Sequence, residues 1–146
     1  MKNSDWDLDL RAGEEGESKI ADLLSLDTVE VKTDKRWKDT GNLYIETECY
    51  YVSDSGRKPS GISVSKATHW AFILEDMALI VPLSKLKEAI YDIGRPTMCL
   101  IEPNPSKGYL ITPTQIIDYI KASRDKQLQD LAENESWSDP AEWEDV

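Results

Sequence analysis

Two segments in which charged side chains occupy every second position constrain the fold more than any other feature of this sequence. The segments are "VEVKTD", at positions 29–34, and "NLYIETECYYV", at positions 42–52. Their alternating charged residues are Glu30, Lys32 and Asp34 in the first segment and Glu46 and Glu48 in the second. Successive side chains of a strand point to opposite faces, so this alternation, with β-branched and aromatic residues in between, predicts two strands that each carry one charged face.

Two interpretations of these charged faces stay open from the pattern alone. Alternating charges are typical of the solvent face of an antiparallel hairpin. If instead the two strands pair as neighbours, Asp34 and Glu46 approach closely enough to share a cation, and carboxylates beside a lysine make a reasonable Mg²⁺ site. The connector "KRWKDTG" favours the second interpretation, because its cations lie where a phosphate backbone would bind; they are Lys35, Arg36 and Lys38.

The rest of the chain predicts an α/β domain. Apolar residues at helical spacing predict helices in the segments 13–26, 63–75, 83–93 and 112–123, and short apolar runs predict further strands in the segments 77–83, 97–102 and 108–112. This order implies one mixed central sheet flanked by helices. A chain of 146 residues suits one domain, which we expect over residues 1–124, followed by a flexible acidic tail over residues 125–146.

The net charge of −11 is concentrated at the two ends of the chain. Residues 128–146 contain seven acidic residues and no lysine or arginine, and residues 1–17 contain six acidic residues and two basic ones. The body between these ends has equal numbers of acidic and basic residues. A basic groove for a polyanion such as DNA is therefore compatible with the total charge.

Several classes of protein are disfavoured by what the sequence lacks. No apolar run approaches the ~20 residues of a membrane-spanning helix, and the acidic N-terminal segment does not read as a secretory signal, so we expect a cytoplasmic protein without a membrane partner. Cys49 and Cys99 have no further ligand at metal-binding spacing, which argues against a zinc site. His69 is the only histidine, which argues further against zinc and also against a Ser-His-Asp triad or a Cys-His pair. Hydrolysis would therefore need carboxylates and a hard metal ion.

Four residues carry a resemblance to a known family. Gly13 and Glu17 stand four positions apart at the start of the predicted first helix, and the acids Asp34 and Glu46 follow on the two predicted strands. With these residues the sequence resembles, over residues 12–92, the PD-(D/E)XK nuclease superfamily, in particular the small single-domain members related to archaeal Holliday-junction resolvases and their phage-encoded relatives. The resemblance implies a restriction-endonuclease-like fold. It also implies an endodeoxyribonuclease that uses Mg²⁺, or Mn²⁺, to hydrolyse DNA phosphodiester bonds, on branched or structured DNA in phage replication or recombination.

The resemblance also implies the residues of the site. The metal ligands would be Glu17, Asp34, Glu46 and Glu48, and the last three would act in catalysis together with Lys32. The family pattern expects a lysine where this chain has Glu48, and Lys32 would supply it from the neighbouring strand. A competing alignment takes Glu30 and Lys32 as the acidic-x-lysine motif itself; it lacks a well-placed upstream aspartate.

We expect DNA contacts from the basic connector, from the polar turn "SDSGRKPSG" and from the start of the predicted helix that follows it. The residues are Lys35, Arg36, Trp37, Lys38, Arg57, Lys58, Ser65 and Lys66. Trp37 would either stack on a base or cover the open end of the hairpin.

A second function stays open because position 48 lacks the lysine. The chain would then be a non-catalytic binding module with a nuclease fold, engaging a protein partner through its acidic ends. The acidic tail has three interpretations: a solvated extension, a DNA mimic that occupies the protein's own basic groove, or a short motif for a partner protein built around Trp137 and Trp143. A homodimer is compatible with symmetric cutting of two strands, although no residue requires one.

Overall fold

A computed structural model describes residues 5–25, 28–51 and 56–136 of the chain. Four helices and seven strands run through these ranges. In chain order they are α1 (Asp5–Ser25), β1 (Val29–Thr33), α2 (Trp37–Thr40), β2 (Leu43–Tyr51), β3 (Gly56–Pro59), β4 (His69–Leu74), β5 (Met77–Pro82), α3 (Leu83–Ile93), β6 (Arg95–Cys99), β7 (Ser106–Ile111) and α4 (Pro113–Ser136). One turn of 3-10 helix, Gly61–Ser63, lies between β3 and β4.

The strands form two sheets. The first is three-stranded with the order β1-β4-β5, in which β1 runs parallel to β4 and β5 runs antiparallel to it. The second is four-stranded with the order β3-β2-β7-β6, and all of its neighbours are antiparallel. The prediction of a mixed α/β chain is therefore confirmed, whereas the prediction of one central sheet is wrong. The two charged strands of the sequence, β1 and β2, belong to different sheets and do not pair with each other.

The helix predicted over residues 63–75 is also wrong, because residues 69–74 form strand β4. β4 is the central strand of its sheet, and Trp70, Ala71, Phe72 and Leu74 are buried. A strand that is covered on both faces reads as a continuous apolar run, and a short run of this kind has no periodicity that separates it from a buried helix. The strands at β1, β2, β5, β6 and β7 and the helices α1, α3 and α4 agree with the prediction in type and approximate position.

One hydrophobic core joins both sheets. α3 contacts β5 of the three-stranded sheet and β7 of the four-stranded sheet, and it also packs on α4. The side chains with no exposed surface come from β2, the 3-10 turn, α3, β7 and α4; they are Leu43, Ile45, Ile62, Leu86, Ala89, Ile90, Ile111 and Ile116. Because α3 serves both sheets, their relative position is fixed by the same apolar contacts that stabilise the fold.

α1 and the later part of α4 leave apolar side chains exposed, whereas Ile116 near the start of α4 is buried in the core. α1 has exposed apolar side chains at Leu10, Ile20 and Leu24, and α4 has them at Leu128 and Leu131. α4 continues without interruption past residue 124, where the sequence predicts the end of the domain, as far as Ser136. The last part of the predicted tail, residues 137–146 with Trp137 and Trp143, lies outside the described residues. Within the described ranges, no helix is long and apolar enough to cross a membrane.

Gly61, at the start of the 3-10 turn, allows this turn to lie directly against β2. Its φ is +52°, and a Cβ atom added there would stand 2.3 Å from the carbonyl oxygen of Glu46. Any other residue would be strained in its backbone and would also collide with the β2 main chain. The close contact sets the distance between the turn and the charged residues of β2.

We therefore expect Gly61→Ala to lower the free energy of unfolding by about 1–3 kcal/mol, because the strained backbone and the steric clash add to each other. Urea denaturation followed by circular dichroism measures this change. The matched control is Gly13→Ala in α1, where an added Cβ meets nothing within 4 Å. Alanine at that exposed helical position should leave stability unchanged or raise it by up to about 1 kcal/mol. Equal effects of the two substitutions would contradict the argument.

Candidate active site

A cavity of about 940 Å³ is lined by residues of both sheets, of the connector between β1 and β2, and of the segment that follows β3. β1 and β4 contribute Glu30, Lys32, Trp70 and Phe72 from one sheet. The other sheet contributes residues of β2, β7 and β6, including Tyr44, Glu46, Leu110, Arg95 and Met98. Asp34, Lys35 and Arg36 line it from the connector, and Gly61, Ser65 and Lys66 from the segment after β3. Although β1 and β2 do not pair, their charged residues therefore meet in one space.

Glu30 and Lys32 form an ion pair on the face of β1 that lines this cavity. The ammonium group of Lys32 also lies 4.6 Å from the centroid of the Trp70 ring, within the range of a cation–π contact. The second oxygen of Glu30 accepts a hydrogen bond from the Ser65 hydroxyl at 2.7 Å, and that hydroxyl oxygen in turn accepts one from the Trp70 indole at 3.0 Å. The pair is thus fixed in position by a buried tryptophan and a serine from a neighbouring segment.

The surroundings of Glu30 favour its charged form. The hydrogen bond from Lys32 is the largest effect and lowers the pKa of the Glu30 carboxyl below its usual value, the hydrogen bond from Ser65 lowers it further, and partial burial opposes both. Glu30 is therefore a carboxylate over the whole neutral range, which is the form that can bind a cation.

Asp34 is held by the backbone of the chain that follows it. Its Oδ1 accepts from the amides of Arg36 and Trp37, at 2.8 and 3.2 Å, and its Oδ2 accepts from the amide of Tyr44 at 2.9 Å. Three of the four acceptor positions of a carboxylate are therefore used inside the protein. The side chain closes the turn into α2 and attaches the start of β2 to the end of β1.

Glu46 is held by a serine in the same way as Glu30. Its Oε1 accepts from the Ser60 hydroxyl at 2.6 Å. Ser60 and Ser65 flank the 3-10 turn, so this short segment contacts the carboxylate of β2 with one serine and the carboxylate of β1 with the other. Burial raises the pKa of the nearby Tyr44 phenol, whose hydroxyl lies 2.8 Å from the Ser106 hydroxyl, so Tyr44 stays protonated at neutral pH.

Cations outnumber carboxylates in this cavity, despite the net charge of −11. The described lining has three carboxylates, Glu30, Asp34 and Glu46, against the cations Lys32, Lys35, Arg36, Lys66 and Arg95. In the part of the chain that the structure describes, only Lys32 among these cations forms an ion pair. The other four form no ion pair within the described residues, so the lining carries a surplus of positive charge.

Several residues predicted for the site lie elsewhere. Glu48 lines a smaller pocket, 4.0 Å from Arg57, and the ladder between β2 and β7 shifts register between Glu46 and Glu48. Glu17 lies on α1, in a shallow groove formed by α1 alone. The structure therefore does not bring either acid to the cavity.

Some of the residues predicted to contact DNA line the cavity, and the others lie outside it. Lys35, Arg36, Ser65 and Lys66 line the cavity, although the Ser65 hydroxyl is already bonded to Glu30. Trp37 is partly buried and packs against the hydrophobic core, and β1 and β2 form no hairpin whose open end it could cover. Three cations have other partners: Lys38 lies 3.5 Å from Glu75, Arg57 pairs with Glu48, and Lys58 lies over the Tyr51 ring.

The sequence does not indicate Ser60, Tyr44 or Arg95 as residues of this site. Ser60 is one polar residue in a polar turn, and Arg95 follows α3, far along the chain from the charged strands. The only sequence feature that points to Ser60 is its pairing with Ser65 around Gly61. The same composition also occurs in ordinary turns.

The donor chemistry of the cavity fits a hard cation at two of its three carboxylates. Among the described residues, no group of three or more His, Cys, Asp or Glu side chains is arranged to hold a metal ion. Mg²⁺, however, often takes only one or two protein carboxylates and completes its shell with water and substrate oxygens. Glu46 fits that role, since a serine hydroxyl is bonded to only one of its oxygens, and Glu30 fits it if the cation displaces the ammonium group of Lys32 from its other oxygen. Asp34 fits less well because main-chain amides hold both of its oxygens.

Comparison of the chain with family models, with curated proteins and with solved structures gave no match.

For Asp34 we expect a structural effect of substitution. Asp34→Ala should lower the free energy of unfolding by about 1–3 kcal/mol, because it leaves three amides without their acceptor. Asp34→Asn retains one acceptor oxygen and should cost less. The control is Asp39→Ala in α2, an exposed aspartate that should change stability by less than about 0.5 kcal/mol. Thermal and urea unfolding measure all three, and a stable Asp34→Ala protein would contradict this assignment.

For Glu30 we expect a pKa that depends on Lys32. Because the folded state depresses this pKa, the contribution of Glu30 to stability is complete above its unfolded pKa and is lost as the pH falls through its folded pKa. Lys32→Met should raise the pKa of Glu30 toward its usual value, and Ser65→Ala should raise it less. Carboxyl ¹³C NMR titration measures both shifts. A Glu30 pKa unchanged by Lys32→Met would show that the ion pair does not persist in solution.

Proposed function

We propose that the chain is a metal-dependent nuclease with a restriction-endonuclease-like fold, which hydrolyses phosphodiester bonds of DNA. The observation that carries the proposal is the cavity that Glu30, Lys32 and Glu46 line together with four cations that form no ion pair within the described residues. Carboxylates beside a lysine suit a cation and a phosphate, and the surplus of positive charge suits the DNA backbone. The mixed sheet that carries Glu30 and Lys32 on β1 supports the fold part of the proposal.

In this proposal the acidic-x-lysine motif is Glu30 to Lys32. Both side chains face the cavity from one strand, whereas Glu48 lies outside it. Glu46 is the second carboxylate, and Asp34 is a positioning residue that attaches β2 to the end of β1. This motif needs no lysine at position 48, because Lys32 follows the acidic residue Glu30 at the expected spacing.

Glu30 and Glu46 would hold Mg²⁺ or Mn²⁺, and such an ion activates a water molecule and neutralises charge on the phosphate. The chain's own contribution is electrostatic. The Lys32 ammonium, held by Glu30 and Trp70, is positioned to stabilise negative charge that develops on a phosphate oxygen. Because its position is fixed before substrate binds, little reorganisation is needed during the reaction.

The remaining cations would bind the DNA backbone. Lys35, Arg36, Lys66 and Arg95 come from three separate segments around the cavity. Backbone contacts of this kind release counterions, so affinity for DNA should fall as salt rises. Branched or structured DNA as the substrate, a homodimer, and a protein partner for the acidic tail remain part of the proposal through the resemblance of the sequence.

One observation favours the non-catalytic binding module instead. Both oxygens of Glu30 and both oxygens of Asp34 already accept from groups of the protein itself. These carboxylates would then only hold the fold together, and the chain would engage a protein partner through its acidic ends without cutting DNA.

Cleavage assays with purified full-length protein distinguish these functions. Duplex, branched and single-stranded DNA are incubated with Mg²⁺, with Mn²⁺ or with EDTA. We expect metal-dependent cleavage that falls by about 100-fold or more in each of Glu30→Gln, Lys32→Met and Glu46→Gln, the size of effect seen when one charge-stabilising group is removed. Glu48→Gln and Glu17→Gln are the matched controls and should keep nearly full activity.

Two results would contradict the proposal. Absence of cleavage on every substrate would favour the binding module. Cleavage that survives Glu30→Gln but is lost in a folded Glu48→Gln protein would return the site to the residues that the family resemblance implies.

A further inference from the structure

The size of the cavity exceeds what a phosphate group needs. Its volume of about 940 Å³ lies at the upper end of the roughly 300–1,000 Å³ typical of pockets for organic ligands. A site that only guided a phosphate backbone would need a shallow basic groove. The volume indicates that a larger part of the substrate enters.

The chemistry of the lining indicates which part. Lys32, Lys35, Arg36 and Lys66 line the cavity from β1, from the connector and from the segment after the 3-10 turn. Apolar side chains line it as well, and three of them are exposed: Val64 at 56%, Met98 at 58% and Ile101 at 63%. A phosphate gains nothing from apolar neighbours, whereas a nucleobase presents a flat apolar face.

We propose that the cavity takes an unpaired nucleotide of a DNA strand, with its phosphate against the cations and its base against Val64, Met98 and Ile101. This inference rests on the proposed function and names its substrate class as DNA with an unpaired or extruded base. The excess of cations in the cavity of a chain with net charge −11 provides the charge complementarity. An intact duplex keeps its bases stacked and paired, so it would contact only the charged part of the lining.

The base would be held between aliphatic side chains. Trp70 and Phe72 also line the cavity, but each is only 2% exposed, so neither ring offers a face to a ligand. Tyr44 is half-buried, and its hydroxyl is close to Ser106. Exposed aliphatic side chains tolerate any base, and we therefore expect little preference among sequences.

Binding measured in EDTA tests the inference separately from cleavage. Fluorescence anisotropy compares a short oligothymidine strand with a strand of the same length and charge that carries abasic residues, and with a duplex. We expect the abasic strand and the duplex to bind at least about tenfold more weakly, equal to about 1.4 kcal/mol. The double variant Val64→Ala/Ile101→Ala should lose this preference while keeping its affinity for the abasic strand. The control variant Met77→Ala/Leu100→Ala changes two side chains that are equally exposed but do not line the cavity, and it should keep the preference.

The other outcomes separate the two proposals. Equal affinity for the base-containing and abasic strands, or tighter binding of the duplex, would overturn the inference but leave a phosphate-binding nuclease intact. Absence of salt-dependent binding to all three DNAs would overturn the inference and the proposed function together. Loss of the preference in the control variant to the same extent would show that the cavity is not where the base binds.

Discussion

The carboxylate of Asp34 is the polar contact that joins the two sheets beside the cavity, in addition to the hydrophobic core that they share. It stands just after β1, the edge strand of one sheet, and accepts the amide of Tyr44 near the start of β2 in the other sheet. The same carboxylate closes the turn into α2. One charged side chain thus links two sheets that share no backbone ladder, next to the cavity that the charged faces of β1 and β2 line. Charge-assisted bonds to main-chain amides are stronger than neutral ones, which suits a link of this kind.

The sequence predicts the strands well but not how they pair. The alternating charges of β1 and β2 and the apolar spacing of α3 are local patterns, and local patterns determine the type of an element. Pairing depends on contacts between distant residues, such as Val29 opposite His69 and Leu43 opposite Ile111. No local signal reports these contacts. The prediction of a helix at β4 is wrong for a related reason, since burial on both faces removes the alternation that identifies a strand.

The candidate site could be predicted only in part. The charges of β1, together with Glu46, Lys35, Arg36 and Lys66, were all visible as chemistry in the sequence, and they do line one cavity. The sequence could not indicate which groups surround each carboxylate. These are the three amides that bond to Asp34 and the serine that bonds to Glu46, and a register shift also lies between Glu46 and Glu48. These contacts decide which carboxylate is a structural acceptor and which can serve a ligand, and they depend on the tertiary fold.

The order in which the chain visits the two sheets has a consequence for how this protein can be divided. β1 belongs to the three-stranded sheet, β2 and β3 to the other, β4 and β5 to the first again, and β6 and β7 to the second. A cut between β3 and β4 divides both sheets, and a cut between β1 and β2 or between β5 and β6 divides one of them, so neither sheet exists as a contiguous fragment free of the other sheet's strands. Complementary halves would each expose unpaired strand edges and half of the shared core. We therefore expect the two sheets to fold together as one unit, with insertions tolerated best in the loops that connect the strands.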